Sequence, residues 1–506
     1  MHALGRRGPL VVSRPRSGRR VRHPARFHRE TGVTLLFDAE VGREDFRGRR
    51  VTIVGLGKGR TASGLARFLV SCGARVTITD AKPREQLGEG IGRLGDTPVK
   101  LVLGPSSDDA ALADPEFVFV INGVRPRSAT ILRALQRRIP VLTEIGLFFR
   151  LCPATIVGVT GTKGKTTTTT LIGQILSRAK RRVVVGGNIG RAIIQELDTM
   201  TKDDIVVLEL SSFQLETLAR SPHVAVVTNI GEDHLDHHGT RESYIAAKRN
   251  IVAWQGANDI AVLNLDDPTT MAIHTGVPSM VRGFSLSLRP RHGGFLDADG
   301  RLILTDGERR TPIIVASELR IPGRHNVANA LAAAIVGEVF DIPPDVIGAE
   351  LRAFEGVARR LETVAESDGV LWVNDSASTT PDATIKAVDA FDRPAVVILG
   401  GVGKGADFGE LARVVVKRAR AAVLIGTAAD EIAGALDAAG APRAGLTVEL
   451  ARTLEDAVTA SRRLARPGDV VLLSPACASF DMFSSADERG DRFTALVRSF
   501  TEPVRL

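Results

Sequence analysis

Three cysteines, Cys72, Cys152 and Cys477, are all that the 506 residues hold, and they are far apart. They make no metal-ligand cluster and suit a reducing cytoplasm, the compartment expected for this chain. Nowhere does the sequence run to the ~18 uninterrupted apolar residues of a membrane span, and it has no secretory hydrophobic region, so no membrane insertion is expected. No internal repeat of roughly 20 to 50 residues stands out. The body of the protein also lacks net charge. Residues 1–30 carry nine arginines, no lysine and the single acid Glu30, which accounts for the whole formal charge of +8 and leaves the rest neutral. That distribution argues against a nucleic-acid-binding face. The basic stretch, taken as residues 1–45, reads as a disordered arm, an arginine-rich targeting segment or an upstream extension, with extension or disorder favoured.

What is present is a long series of β-then-α patterns, enough for about three domains. Arg50-Val-Thr-Ile-Val-Gly-Leu-Gly57 reads as a strand ending in a glycine turn, Leu65–Val70 as a helix, and Ala74–Asp80 as a strand ending in an acid. This is the opening of a dinucleotide-type fold, with Gly55 and Gly57 at the turn and Asp80 where a ribose or base hydroxyl is often read. The glycines (Gly55, Gly57, Gly59, Gly64) do not form GxGxxG, and a plain α/β turn is the competing reading. Strands near Val118–Ile121 and Pro140–Thr143 follow, then a linker around 146–154. Further strand runs are Ile156–Val159, Arg182–Val185, Ile205–Glu209, Val224–Asn229 and Asp259–Leu265, with Val370–Val373, Ala395–Leu399, Ala422–Ile425 and Asp469–Leu473 in a last block from about Gly356. Alternation of this kind predicts largely parallel sheets covered on both faces, with the interesting polar residues at the strand ends. The fold class is α/β, three domains in series: Rossmann-like over 46–150, a P-loop ATPase-like parallel sheet over 151–355, and Rossmann-like again over 356–506.

The chemistry begins at Gly161-Thr-Lys-Gly-Lys-Thr166. A buried strand breaks into glycines whose N–H groups can turn toward an anion, and a helix then presents the positive end of its dipole to the same place. Lys165 would reach terminal phosphates and Thr166 would offer its hydroxyl to Mg²⁺. Five residues, not four, separate Gly158 from Gly164; the plain alternative is a glycine-rich turn with a solvated lysine. Downstream, Glu209 ends an apolar strand, where it would either bind a hard cation or sit in solvent. Glu232-Asp-His-Leu-Asp-His-His238 offers three histidines, but in one short loop they point different ways. An Asp233–His234 pair facing Mg²⁺ is more economical than zinc. Lys248, on a helix spanning Tyr244–Ile251, reads by itself as a solvated lysine.

Taken together, Gly158–Thr167, Gly187-Asn-Ile-Gly190, Glu209–Glu216, Glu232–Asp236, Tyr244–Lys248, Gly323–Ala330, Arg360-Leu-Glu362, Asn374-Asp-Ser376, Gly400–Asp407 and Ser474–Asp481 resemble the Mur ligases in order and spacing, from about residue 46 to the end. The resemblance implies ATP-dependent amide synthesis in peptidoglycan assembly, with UDP-N-acetylmuramoyl-L-alanine and glutamate as substrates and an acyl phosphate between them. A carboxylate is a poor electrophile until phosphorylated, and two anions must be brought together, so cations have to line the site. By this resemblance Gly161, Thr162, Lys163, Gly164, Lys165, Thr166 and Thr167 hold ATP, joined by Asn326, Asn329, Arg360 and Asp375. Thr166, Glu209, His234 and a Lys248 carbamylated by CO₂ hold two Mg²⁺ ions, and Lys165, His234 and Lys248 are the catalytic set. Gly55, Gly57, Asp80 and Asn188 face the uridine nucleotide; Thr379, Lys404 and Ser479 seat the glutamate. A monomer is expected.

The first glycine loop is about two residues longer than the commoner family form. Asp375-Ser-Ala-Ser-Thr-Thr380 stands where familiar members read DSKATN, and Ala486 stands where phenylalanine is common. The last two changes fall around the glutamate and none touches the phosphate chemistry. The added residue is therefore expected to be D-glutamate, with L-glutamate or another amino acid as the alternative. A nucleotide-binding regulator without ligase activity is disfavoured because Lys165, Glu209, His234, Lys248 and Lys404 are all present.

Overall fold

The structure is a computed structural model and describes residues 40–501 apart from 106, 127, 189–191, 322 and 404. Three sheets follow one another along the chain. The first comprises β1 (Arg50–Val54), β2 (Arg75–Asp80), β3 (Val99–Leu103), β4 (Phe117–Val120) and β5 (Val141–Thr143), all parallel, in the order β3-β2-β1-β4-β5. The second comprises β6 (Thr155–Thr160), β7 (Val183–Gly187), β8 (Ile205–Glu209), β9 (Val224–Val227), β10 (Ile260–Asn264), β11 (Met280–Ser285), β12 (Gly293–Leu296), β13 (Arg301–Thr305) and β14 (Arg310–Val315). Its order is β14-β13-β12-β11-β10-β9-β6-β8-β7. The third comprises β15 (Glu362–Ser367), β16 (Val370–Asn374), β17 (Ala395–Gly400), β18 (Ala419–Ile425), β19 (Thr447–Leu450) and β20 (Val470–Leu473), ordered β15-β16-β20-β17-β18-β19.

The Val/Ile/Leu runs behave as strands buried on both faces must. β8, β9 and β17 are buried at every position, and helices cover both sides. Where the strand order reverses, the carboxyl ends open crevices. These lie after β1 and β4, after β6, and after β17 and β20. The helix Arg324–Val339 is apolar on every side from Ala330 to Gly337, with Ala330, Ala332, Ala333 and Ala334 fully buried, and its small side chains there let it lie close on Lys165–Leu176, the helix that follows β6. One apolar cluster runs continuously from the first sheet onto one face of the second, whereas the third sheet is packed by clusters of its own.

Several features depart from the alternating pattern. β12 to β14 form an antiparallel extension of the central sheet, and β15 pairs antiparallel with β16. Glycines at 293 and 294 conceal β12 from a hydrophobicity reading, and exposure conceals the edge strand β19, where Leu450 is 61% exposed; β13, with Leu302, Ile303 and Leu304 buried, is apolar and was not expected. The expected linker at 146–154 is largely helix, Glu144–Leu151. Thr143 caps it by accepting from the Gly146 N–H, and Leu147 and Phe148 are buried.

Candidate active site

The loop after β6 is shaped by contacts that only its own residue types allow. Gly164 sits at φ +79°, and a Cβ there would lie 2.4 Å from Oδ1 of Asn329. Glycine is therefore required both by conformation and by space. Asn329, in turn, donates to Oδ1 of Asn326 (3.2 Å), so both asparagines flank the loop. Thr162 Oγ1 accepts from the Gly231 N–H (2.9 Å) and lies 2.9 Å from the Tyr244 hydroxyl, while Lys163 N–H donates to Asn229 Oδ1. Lys165 folds its ammonium back onto the carbonyls of Gly161 (2.9 Å) and Thr162 (3.0 Å). Thr167 follows in the first turn of the helix.

Glu209 lies at the centre of the site. It is buried at the end of β8; one carboxylate oxygen accepts from the Thr166 hydroxyl (2.7 Å) and the other from the Asn188 amide (3.0 Å). Lys248 is buried too, donating to the Gly161 carbonyl (2.8 Å) with its ammonium 4.8 Å from the centre of the Tyr244 ring. Burial, and then the neighbouring Lys165 charge, pull its pKa down to about 7 against the opposing pull of Asp233 and Glu209. Burial likewise lowers Lys165, opposed by Glu209 and Asp233. Six sequence-predicted residues, Gly161, Lys165, Thr166, Asn188, Glu209 and Lys248, thus meet in one place.

The histidine loop divides. The Asp233 charge is felt at Lys163, Lys165, Lys248 and Tyr244. His234, left-handed at φ +53°, lays its ring against Phe213 (4.8 Å between centroids) with Nε2 3.7 Å from Asp233. His237 and His238 pack on Phe213 as well (4.5 and 5.6 Å between centroids) but find other polar partners: His237 Nε2 lies 3.1 Å from Glu216, and His238 Nε2 lies 3.0 Å from Ser212 Oγ.

Asp80 faces its own glycine loop. Its carboxylate accepts from the N–H groups of Leu56 (2.8 Å), Gly57 (3.0 Å) and Lys82 (3.0 Å). Burial pushes its pKa up, but those three donors outweigh it and hold the group below the usual carboxylate range. Gly55, at φ +96°, abuts Ile121.

A cleft of about 1080 Å³ opens where the three sheets meet. Lys58, Arg60 and Arg67 line it from the first, Thr166 and Asn188 from the second, and Arg360, Ala377, Thr379 and Ser479 from the third. Lys404 lies outside the described residues. Arg360 is close enough for its charge to lower Lys165 and oppose the rise at Asp375. Asp375, buried and pushed up to about 6 mainly by that burial, accepts from Ser474 Oγ (2.7 Å) and Leu361 N–H. Ser479 is 2% exposed, yet its hydroxyl has no partner among the described residues. Sequence reasoning missed Arg60 and Arg67, which sit on an ordinary amphipathic helix, and Arg489, discussed below.

The hydroxyl of Thr166 and the carboxylate of Glu209 are a hard oxygen pair, the donor type that Mg²⁺ takes. Lys165 opens a twelve-residue helix directly after Gly164, so the positive end of the helix dipole and its free N–H groups face the loop, as a polyphosphate site requires.

Comparison with known proteins agrees with this geometry. The Mur ligase middle domain matches residues 159–337, and the Mur ligase glutamate ligase domain matches residues 359–477. The chain is 43% identical over 458 residues to the UDP-N-acetylmuramoylalanine–D-glutamate ligase of Pelotomaculum thermopropionicum, covering 90% of this chain and 99% of that one. It is 41% identical over 454 residues to the protein of the same name from Symbiobacterium thermophilum, covering 89% and 98%. Among solved structures, the UDP-N-acetylmuramate-alanine ligase of Thermotoga maritima has a TM-score of 0.55 at 21% identity, covering 89% of this chain and 99% of that one. MurF from Acinetobacter baumannii has a TM-score of 0.52 at 17% identity, covering 88% and 92%; these two speak for the fold. The three sheets, the phosphate loop and the full-length likeness together place this chain in the Mur ligase family.

Proposed function

We propose that the protein is the ligase that joins D-glutamate to the alanine carboxylate of UDP-N-acetylmuramoyl-L-alanine, converting ATP to ADP and phosphate, in peptidoglycan synthesis. The observation that carries this reading is the Thr166–Glu209–Asn188 chain, because one buried carboxylate links the phosphate-loop hydroxyl to the residue assigned to the nucleotide substrate. Full-length relatives that carry this enzyme's name support the choice of substrates.

In the first half-reaction an alanine carboxylate oxygen attacks the γ-phosphorus of ATP; the bond to the β,γ-bridging oxygen breaks, leaving an acyl phosphate and ADP. In the second, the glutamate amine attacks the acyl carbon, loses a proton, and phosphate departs from the tetrahedral adduct. Lys165 releases the carbonyls of Gly161 and Thr162 and turns to the phosphates, while Asn326, Asn329, Arg360 and Asp375 bound the rest of the ATP site. Thr166, Glu209, His234 and Lys248 would hold two Mg²⁺ ions. When bound, Mg²⁺ supplies charge neutralisation between the phosphates and the attacking carboxylate.

Lys248 as an ammonium would repel those ions. With its pKa near 7, much of it is a free amine at neutral pH. That amine can add to CO₂, forming an N–C bond and releasing a proton to leave an anionic carbamate, which converts a repelling group into an oxygen ligand.

Gly55, Gly57 and Asp80 shape the uridine-nucleotide side. Thr379, Ser479 and Lys404 seat the glutamate, a role supported by the buried, unpartnered Ser479 hydroxyl. We assign residues 46–150, 151–355 and 356–506 to nucleotide, ATP and amino acid. Among the described residues, Val357 is the one apolar side chain of the last unit packed against a cluster of the first two, a seam slight enough for that unit to swing closed and exclude water from the acyl phosphate. The neutral body fits a monomeric cytoplasmic enzyme with small-molecule substrates. Addition of L-glutamate or another amino acid is the second reading, since Ala377, which lines the cleft with Thr379, alters the pocket without selecting a hand. Phosphate release with the uridine nucleotide, ATP and a panel of amino acids tests both. Turnover with D-glutamate is expected, and turnover with L-glutamate alone would remove the first.

A further inference from the structure

The helix Ala486–Thr501 carries a fully buried arginine, Arg489, in its first turns. The partners of its guanidinium are carbonyls, not carboxylates. One terminal nitrogen donates to Cys477 O (3.2 Å) and, at 3.5 Å, to Gly400 O; the other donates to Ser376 O (3.1 Å) and Cys477 O (3.1 Å). Nε has no acceptor among the described residues. Although burial lowers its pKa to about 10, the group stays charged at neutral pH. A buried cation whose direct partners are carbonyls, with the Asp481 charge near enough to be felt but not hydrogen-bonded to it among the described residues, is an expensive arrangement, and its geometry shows what it does.

The three carbonyls belong to three different loops. Gly400 ends β17, Cys477 follows β20, and Ser376 follows β16. β17 and β20 are neighbours at the point where the third sheet reverses its strand order. The loops also touch one another directly: Val402 N–H donates to Ala478 O (2.8 Å), and Ala476 N–H to Ser378 O (3.0 Å). Thr379 lies three residues beyond Ser376, and Ser479 two beyond Cys477, and both line the cleft. Lys404 lies four residues beyond Gly400 in sequence. The planar fork spreads its donors over separate nitrogens in fixed directions, whereas a lysine offers its three donors from one rotatable nitrogen.

We propose that Arg489 is a positioning residue that ties the 376, 400 and 477 loops into one amino-acid-binding platform, setting the spacing between the groups that receive the two carboxylates of the incoming glutamate. It touches no substrate itself. The proposal rests on the glutamate-ligase reading of the cleft, so its test needs a readout that does not depend on that reading.

That test uses the full-length protein and the variants Arg489→Met and Arg489→Lys, measuring steady-state kinetics and amide hydrogen exchange in parallel. Both variants are expected to raise the KM for glutamate roughly tenfold or more, since small misplacements of binding groups have effects of that order. The KM for ATP and for the uridine nucleotide should stay within about twofold of wild type. Amide exchange should rise at 375–379, 400–403 and 474–479 and remain unchanged in β6, β8 and β9. Unchanged exchange in the three loops, or equal rises in all three KM values, would overturn the proposal. If wild type turns over no acidic amino acid, the ligase reading fails, and the exchange data alone decide the role of Arg489. Should Arg489→Met fail to fold, Gly490→Ala replaces it. Its new Cβ would lie 2.3 Å from Ser376 Oγ and push that loop off the helix, with the same outcomes expected.

Discussion

Replacing Glu144 by glutamine should stabilise the protein at neutral and higher pH, and the size of the gain can be worked out. Glu144 begins the helix that joins the first two sheets; it is fully enclosed, and one oxygen accepts from the Ile194 N–H (3.2 Å). No Lys or Arg pairs with it among the described residues. Burial raises its pKa from 4.5 to about 7, with the single N–H donation pulling the other way. A group raised in the folded state favours folding fully below its unfolded pKa and loses that contribution as pH climbs through the folded value. The loss therefore falls between pH 4.5 and about 7, and a shift of this size is worth at most about 3 kcal/mol. Glutamine keeps the acceptor for Ile194 and cannot ionise. Urea unfolding at a series of pH values should show wild type and Glu144→Gln nearly equal at pH 5 and the variant ahead by up to about 3 kcal/mol at pH 8. A gap that does not change with pH, or a variant that is weaker at pH 8, would refute the reasoning.

Four further outcomes are expected. Turnover in CO₂-depleted buffer should fall and bicarbonate should restore it, because a pKa near 7 leaves roughly half of Lys248 as free amine at pH 7, against about 0.03% for an ordinary lysine. Lys248→Ala should be inactive and deaf to bicarbonate, with partial rescue by a small carboxylic acid; unchanged turnover in that variant would sink the carbamate role. Gly164→Ala forces a left-handed non-glycine residue, costing about 1–2 kcal/mol, and drives a methyl into Asn329; calorimetry should show ATP affinity lowered roughly tenfold or more with uridine-nucleotide affinity intact. Asp80→Asn gives up a carboxylate that takes three N–H groups, each worth about 1 kcal/mol, and should raise the uridine-nucleotide KM several-fold while leaving that for ATP alone.

Much of this site was readable because its residues sit where sheets present them. Gly161 to Thr166 and Glu209 fall at the ends of apolar strands, and a sequence run that stops in glycine or an acid marks such an end without coordinates. Lys248 is different: on its helix it reads as solvated, and only its packing beneath the phosphate loop makes it exceptional. Asp80 was legible as a strand-end acid, but its inward turn onto Leu56 and Gly57 was not. The three neighbouring histidines could not be sorted by spacing, since the direction of each ring follows from Phe213, Glu216 and Ser212 on another helix. Arg489 lies in Asp-Glu-Arg-Gly-Asp-Arg, a string that looks like a solvated helix face, and nothing local signals that its side chain is sealed beneath three loops. β12 is glycine-rich and β14, β15 and β19 are largely exposed or half-buried, so hydrophobic patterning has little there to detect, whereas the buried Leu-Ile-Leu of β13 was a signal left unread.

The central claim is that ATP activates a nucleotide-linked carboxylate before an amine attacks it. Preparing UDP-N-acetylmuramoyl-L-alanine with ¹⁸O in its alanine carboxylate and following the label during turnover with D-glutamate tests this most directly. The account predicts one labelled oxygen in each phosphate released; unlabelled phosphate accompanying amide formation would contradict it.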